Sequence, residues 1–143
     1  MIKFEYLIAI MILLPIFGCG GGGGGSSDEG EAQTDPNQFV VTDTEQYFAE
    51  HISPKIIQKS CITCHISSGV AKDTPLNYVN SSVTDHTDQN RQLILDYFAG
   101  DSGNAQKYLQ KVQGQLDHGG RLVLNSDSDE YKMLEAWVQA VTQ

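Results

Sequence analysis

Two thiols and an imidazole stand together in Cys61-Ile62-Thr63-Cys64-His65. Thiols two residues apart on one short turn can each add to a vinyl group of a single porphyrin. The His that follows then falls beneath the metal at the centre of the ring. The spacing points to one covalent haem c, with Cys61 and Cys64 as attachment sites and His65 as the proximal iron ligand. A CxxC pair also serves redox dithiols and zinc sites. A redox dithiol follows a strand in a βαβ unit, and the residues before Cys61 do not read as a strand. A structural zinc site needs a second ligand pair. No other Cys stands in the mature domain, and His51, His86 and His118 match no finger spacing.

The distal side of the iron offers Met133, His118, His86 and His51. Met133 lies inside the last helical pattern and reads as a packing residue. His51 is close to the haem motif in sequence and is expected on the proximal side. His86 sits in the polar stretch Ser81 to Asn90. His118 stands in Leu116-Asp117-His118-Gly119-Gly120-Arg121-Leu122. Its two glycines let the backbone approach a flat ring and adopt positive φ. Leu116, Leu122 and Leu124 are expected to pack on the porphyrin. His118 is therefore the expected sixth ligand. Met is the ligand that raises a haem potential, so two imidazoles imply a lower one.

These groups need elements to hold them, and the pattern is helical. Thr42-Asp43-Thr44 can cap a first helix with Tyr47, Phe48 and Ile52 on one face. Pro54 suits the N1 position of a second short helix leading into the motif. Ser67 to Asn80 reads as loop. Asp88 to Phe98 has helical apolar spacing, with Gly100 as its stop, and Ala105 to Val112 is a further helix ending at Gly114. In the last helix, Ser126, Asp127 and Ser128 offer N-caps. Tyr131, Leu134, Trp137, Val138 and Val141 form its apolar stripe. No window alternates at period two, so the fold class is all-α: one small helical domain wrapped around a covalent haem.

The N-terminal part concerns location. Lys3 followed by the apolar run Tyr6 to Phe17 reads as a signal peptide, because the run is shorter than the roughly 20 residues of a membrane span. It ends in Ile16-Phe17-Gly18-Cys19, which resembles a bacterial lipobox. That resemblance implies cleavage before Cys19 and a lipid on its sulfur. Six glycines and two serines (residues 20–27), then the acidic stretch Asp28 to Gln38, form a flexible tether. The expected division is signal peptide 1–18, linker 19–41 and haem domain 42–143.

The formal net charge is −9, and it is uneven. Between Cys19 and Glu50 there are acidic residues and no Lys or Arg; from His51 onward the two signs nearly balance. No basic patch with interleaved aromatics supports nucleic-acid binding.

The order CxxCH, helix, ligand loop, terminal helix with Trp is similar to class I cytochrome c. The residues Tyr47-Phe48, Ile52, Pro54, the motif, Gly114, His118-Gly119-Gly120 and Tyr131 to Trp137 also resemble small haem domains of secreted polysaccharide-degradation proteins. The class I family usually has Met where this chain has His118. The resemblance implies that a carbonyl near Thr74-Pro75-Leu76, that of Pro75, accepts the Nδ1–H of His65. Arg91, Arg121 and Tyr78 are the candidate partners for the haem carboxylates. The expectation is a monomeric electron carrier rather than an enzyme. It would be lipid-anchored at the cell envelope, where it would meet another redox protein. The alternative is a gas-binding, sensing or weakly peroxidatic haem domain with an open sixth site.

Overall fold

A helix begins at Thr44 because the Asp43 carboxylate accepts from the backbone N–H groups of Glu45 and Gln46, both at 2.9 Å. These donors have no partner inside the helix, so the side chain satisfies what the backbone cannot. The computed structural model describes residues 39–119 and 122–143, which belong to one compact unit, Thr34–Gln143. The signal peptide, Cys19, most of the tether and Arg121 lie outside the described residues.

Helix α1 spans Thr44–Tyr47 and runs directly into a wider, π-type helix over Phe48–Cys61. Pro54 lies inside this second segment, where a fresh helix was expected to start at that residue. A proline ring collides with the carbonyl one α-turn earlier and supplies no N–H. A turn with i→i+5 bonding relieves that collision and keeps the chain helical. The Ile62 N–H, for example, reaches the Ile57 carbonyl at 2.9 Å. The wider turn also suits the sequence. Phe48, Ile52, Ile56, Ile57 and Cys61 recur four or five residues apart, and all are buried.

Helix α2 spans His86–Gly100, so Gly100 closes the last turn from within it rather than standing beyond it. Helix α3 spans Asn104–Val112 and stops as expected before Gly114, whose φ is 75°. Helix α4 spans Asp129–Val141. Of its three candidate caps, Ser128 is the one used, its hydroxyl accepting from the Tyr131 N–H at 3.2 Å. Among the described residues there is no strand, and the molecule is all-α.

The core gathers around Trp137, which is fully buried with Phe48 at 4.9 Å and Phe98 at 6.3 Å between ring centres. The Trp137 indole N–H donates to the Thr44 carbonyl at 2.9 Å and joins α4 to α1. Met133 is buried beside it as packing. No described helix is long and apolar enough to cross a membrane.

Candidate functional site

The π-type segment ends at Cys61, and a tight turn carries the chain on to His65. The Cys61 carbonyl accepts from both the Cys64 and the His65 N–H, at 3.2 and 3.0 Å. The chain then coils back so closely that a Cβ on Gly69 would lie 2.1 Å from the Cys64 carbonyl oxygen. Only glycine fits there. The same carbonyl accepts from the Ala71 N–H at 3.0 Å.

His65 is fixed twice. Its ring Nδ1 lies 2.8 Å from the Leu76 carbonyl, and its own carbonyl accepts from the Tyr78 N–H. A carbonyl can only accept, so Nδ1 carries the proton and Nε2 keeps its lone pair for a metal. The Thr74 hydroxyl sits 3.3 Å from the same nitrogen. The expected acceptor, Pro75, is therefore corrected by one position to Leu76. The clamp is itself anchored. Buried Asn90 donates to the Val79 carbonyl at 2.8 Å and accepts from the Val79 N–H at 2.7 Å, and Gln58 reaches the same carbonyl at 2.9 Å.

These residues form one wall of a cleft of about 720 Å³. Cys61, Cys64, His65, Leu76 and Tyr78 line it from the motif side. Tyr97, Tyr108 and Val112 enter from α2 and α3, and His118, Leu122 and Val123 from the segment between α3 and α4. The His65 and His118 rings stand 5.8 Å apart between centres, with their planes 13° from parallel. The sequence separates the two rings widely, and the fold brings them together.

The remaining candidates fall elsewhere. Arg91 does not line the cleft. Its guanidinium pairs with the Glu45 carboxylate at 3.1 Å, because α2 turns that face toward α1. Arg91 thus stands in an ion pair away from the cleft lining. His51 packs on Tyr47 at 4.6 Å, and His86 opens α2 with its ring Nδ1 3.1 Å from the Val83 carbonyl. Of the three expected packing leucines, Leu122 lines the cleft, Leu124 is buried in the core, and Leu116 does neither.

Sequence reasoning missed Tyr108, Lys59 and Lys111, all on the cleft wall. Tyr108 was legible only as one apolar position of α3; nothing in the chain signals that it meets Tyr78. Their hydroxyls lie 3.2 Å apart and both side chains are buried. Burial pushes both phenols well above the ordinary tyrosine range. Burial, with Cys64 close by, also pushes the Cys61 thiol up to about 12. At neutral pH Cys61, Tyr78 and Tyr108 are therefore uncharged.

A flat, apolar macrocycle suits such a cleft. The volume lies within the range of roughly 300–1,000 Å³ typical of small-molecule sites. Val70 and Leu122 are 92% and 62% exposed, and both line it, so apolar surface is available to cover a ligand. Among the described residues no three His, Cys, Asp or Glu side chains converge closely enough to hold a metal ion alone.

No protein-family model, characterised protein or solved structure matches this chain.

Proposed function

We propose that this chain is an electron carrier: a lipid-anchored c-type cytochrome with one haem on Cys61 and Cys64, ligated by His65 and His118. The observation that carries the reading is the pairing of those two imidazoles across the cleft, 5.8 Å apart and nearly parallel, beside both thiols of the CxxCH turn. The bound group would supply the one-electron ferric–ferrous couple. The residues of the chain supply the rest. Cys61 and Cys64 would hold the group covalently through thioether bonds, with no net oxidation. The Leu76 carbonyl holds the His65 ring in the tautomer whose Nε2 can ligate. Neutral Tyr78 and Tyr108, with Leu122 and Val123, would offer the group uncharged surface. His65 and His118 would both be engaged in holding the group, which would leave electron transfer rather than substrate turnover as its chemistry. Cys19 and the acidic tether would hold the domain at the cell envelope, within reach of a redox protein partner.

The deciding experiment is the absorption spectrum of the mature protein made with haem-maturation machinery, in ferric, ferrous and ferrous-plus-CO forms. The reading expects a low-spin haem, no Met–iron charge-transfer band, and a shift to high spin with ready CO binding in His118→Ala. An unchanged spectrum in that variant would remove His118 from the iron.

A further inference from the structure

We infer that helix α3 carries a carboxylate-binding edge of the cleft, where the Lys111 ammonium and the Tyr108 hydroxyl hold an acid side chain of the bound porphyrin. This rests on the proposed haem and deepens it, by naming residues that orient the group and set the charge around it.

Tyr108 and Lys111 lie one turn apart on α3 (Asn104–Val112), so they share a face of it, and both line the cleft. Lys111 is half-buried, and its ammonium donates to the Leu116 carbonyl at 3.1 Å. That bond leaves further N–H donors on the nitrogen. Among the described residues no carboxylate pairs with it, whereas Lys59, Lys72, Arg91, Lys107 and Lys132 each have one. Asp117 also lines the cleft but forms no ion pair with Lys111. A cation drawn partly out of water is stabilised by an anion beside it, and the described chain supplies none.

The tyrosines point to the same chemistry by a count of protons. Tyr78 and Tyr108 are each 4% exposed, and burial keeps both phenols protonated at neutral pH. Their hydroxyls are 3.2 Å apart, so one donates and the other accepts. The accepting hydroxyl still carries its own proton, and among the described residues no second group takes it. A buried donor without an acceptor is destabilising. Tyr108 is the hydroxyl that shares a helix face with Lys111, so Tyr78 donates to Tyr108 and Tyr108 donates into the cleft. Ammonium and hydroxyl together suit an anionic oxygen. A porphyrin whose nitrogens hold iron offers such oxygens only in its two carboxylates. Arg91, expected for that role, faces Glu45 instead.

The test compares variants of the full-length holoprotein by resonance Raman spectroscopy, in the bending band of the haem carboxylates, and by reduction potential. That band moves to lower frequency when the carboxylates lose hydrogen bonds. Lys111→Leu should lower the band, and the potential with it, because a nearby positive charge favours the ferrous state. Lys111→Arg should keep both at the parent values. Tyr108→Phe should lower the band with no change of formal charge. Lys132→Leu removes the same charge from α4, outside the cleft lining, and should move neither. An unchanged low-spin spectrum and helical circular dichroism verify the fold of each variant. A band that stays in place in Lys111→Leu or in Tyr108→Phe, or an equal fall in potential in Lys132→Leu, would overturn the inference while leaving the covalent haem intact. A chain that passes through the maturation machinery without gaining haem would overturn the inference together with the reading it rests on.

Discussion

Gly69 shows how little freedom the turn that follows Cys61 has. Its missing side chain admits the Cys64 carbonyl, which in turn accepts from Ala71. Gly69→Ala would drive a carbon into backbone that cannot move without shifting Cys64. We expect a loss of stability of more than about 2 kcal/mol, in the range of strained or overpacked sites, read as a lower denaturant midpoint. An unchanged midpoint would mean that the turn yields. The buried tyrosines give a pH prediction at the same scale. Their folded pKa values are raised, so their contribution to stability is complete below the ordinary tyrosine value of about 10 and is lost as pH rises beyond it. In an alkaline titration Tyr78 and Tyr108 should give tyrosinate absorbance only together with loss of helical circular dichroism. Ionisation of every tyrosine while the helices persist would contradict their burial. At this scale the sequence was most legible. Cys61, Cys64, His65 and His118, singled out by type and spacing, come together along one cleft. The Leu76 carbonyl was missed by one residue, because backbone acceptors leave no mark on a side-chain pattern.

At the scale of elements, α1 and α4 meet at Trp137. Trp137→Phe removes the indole donor from the Thr44 carbonyl and leaves space beside Phe48. A destabilisation of about 1–3 kcal/mol follows from a lost hydrogen bond and a small cavity. Thermal unfolding followed by circular dichroism measures it, and a variant as stable as the parent would show that the junction contributes little. The helices from α2 onward were readable from apolar period and caps, since Ser128 and Gly114 act locally. The segment Phe48–Cys61 was not. Pro54 reads as a helix start in any local scheme, and only the packing of Ile52, Ile56 and Ile57 into one core favours a wider turn through it. Arg91 pairs with Glu45 rather than lining the cleft for a related reason: its direction is set by how α2 packs on the π-type segment that continues α1, which no short pattern encodes.

At the scale of the whole molecule, charge and attachment matter more than shape. The acidic excess lies largely ahead of His51, while the residues from His51 onward nearly balance. On the proposed reading, Cys19 alone ties the domain to a bilayer. Cys19→Ser should therefore move the protein from the membrane fraction to the soluble fraction, with the haem spectrum unaltered. Retention in membranes after that change would place the anchor elsewhere in the chain.

The bond from Trp137 to Thr44 joins residues 93 positions apart. Synthesis runs from one to the other, so the first helix waits for its partner until almost the entire chain has emerged. During that interval Cys61, buried in the finished molecule, lies in open solution with Cys64. Cys61 is thus reachable early and buried once the fold is complete, whereas Cys64 stays partly exposed throughout.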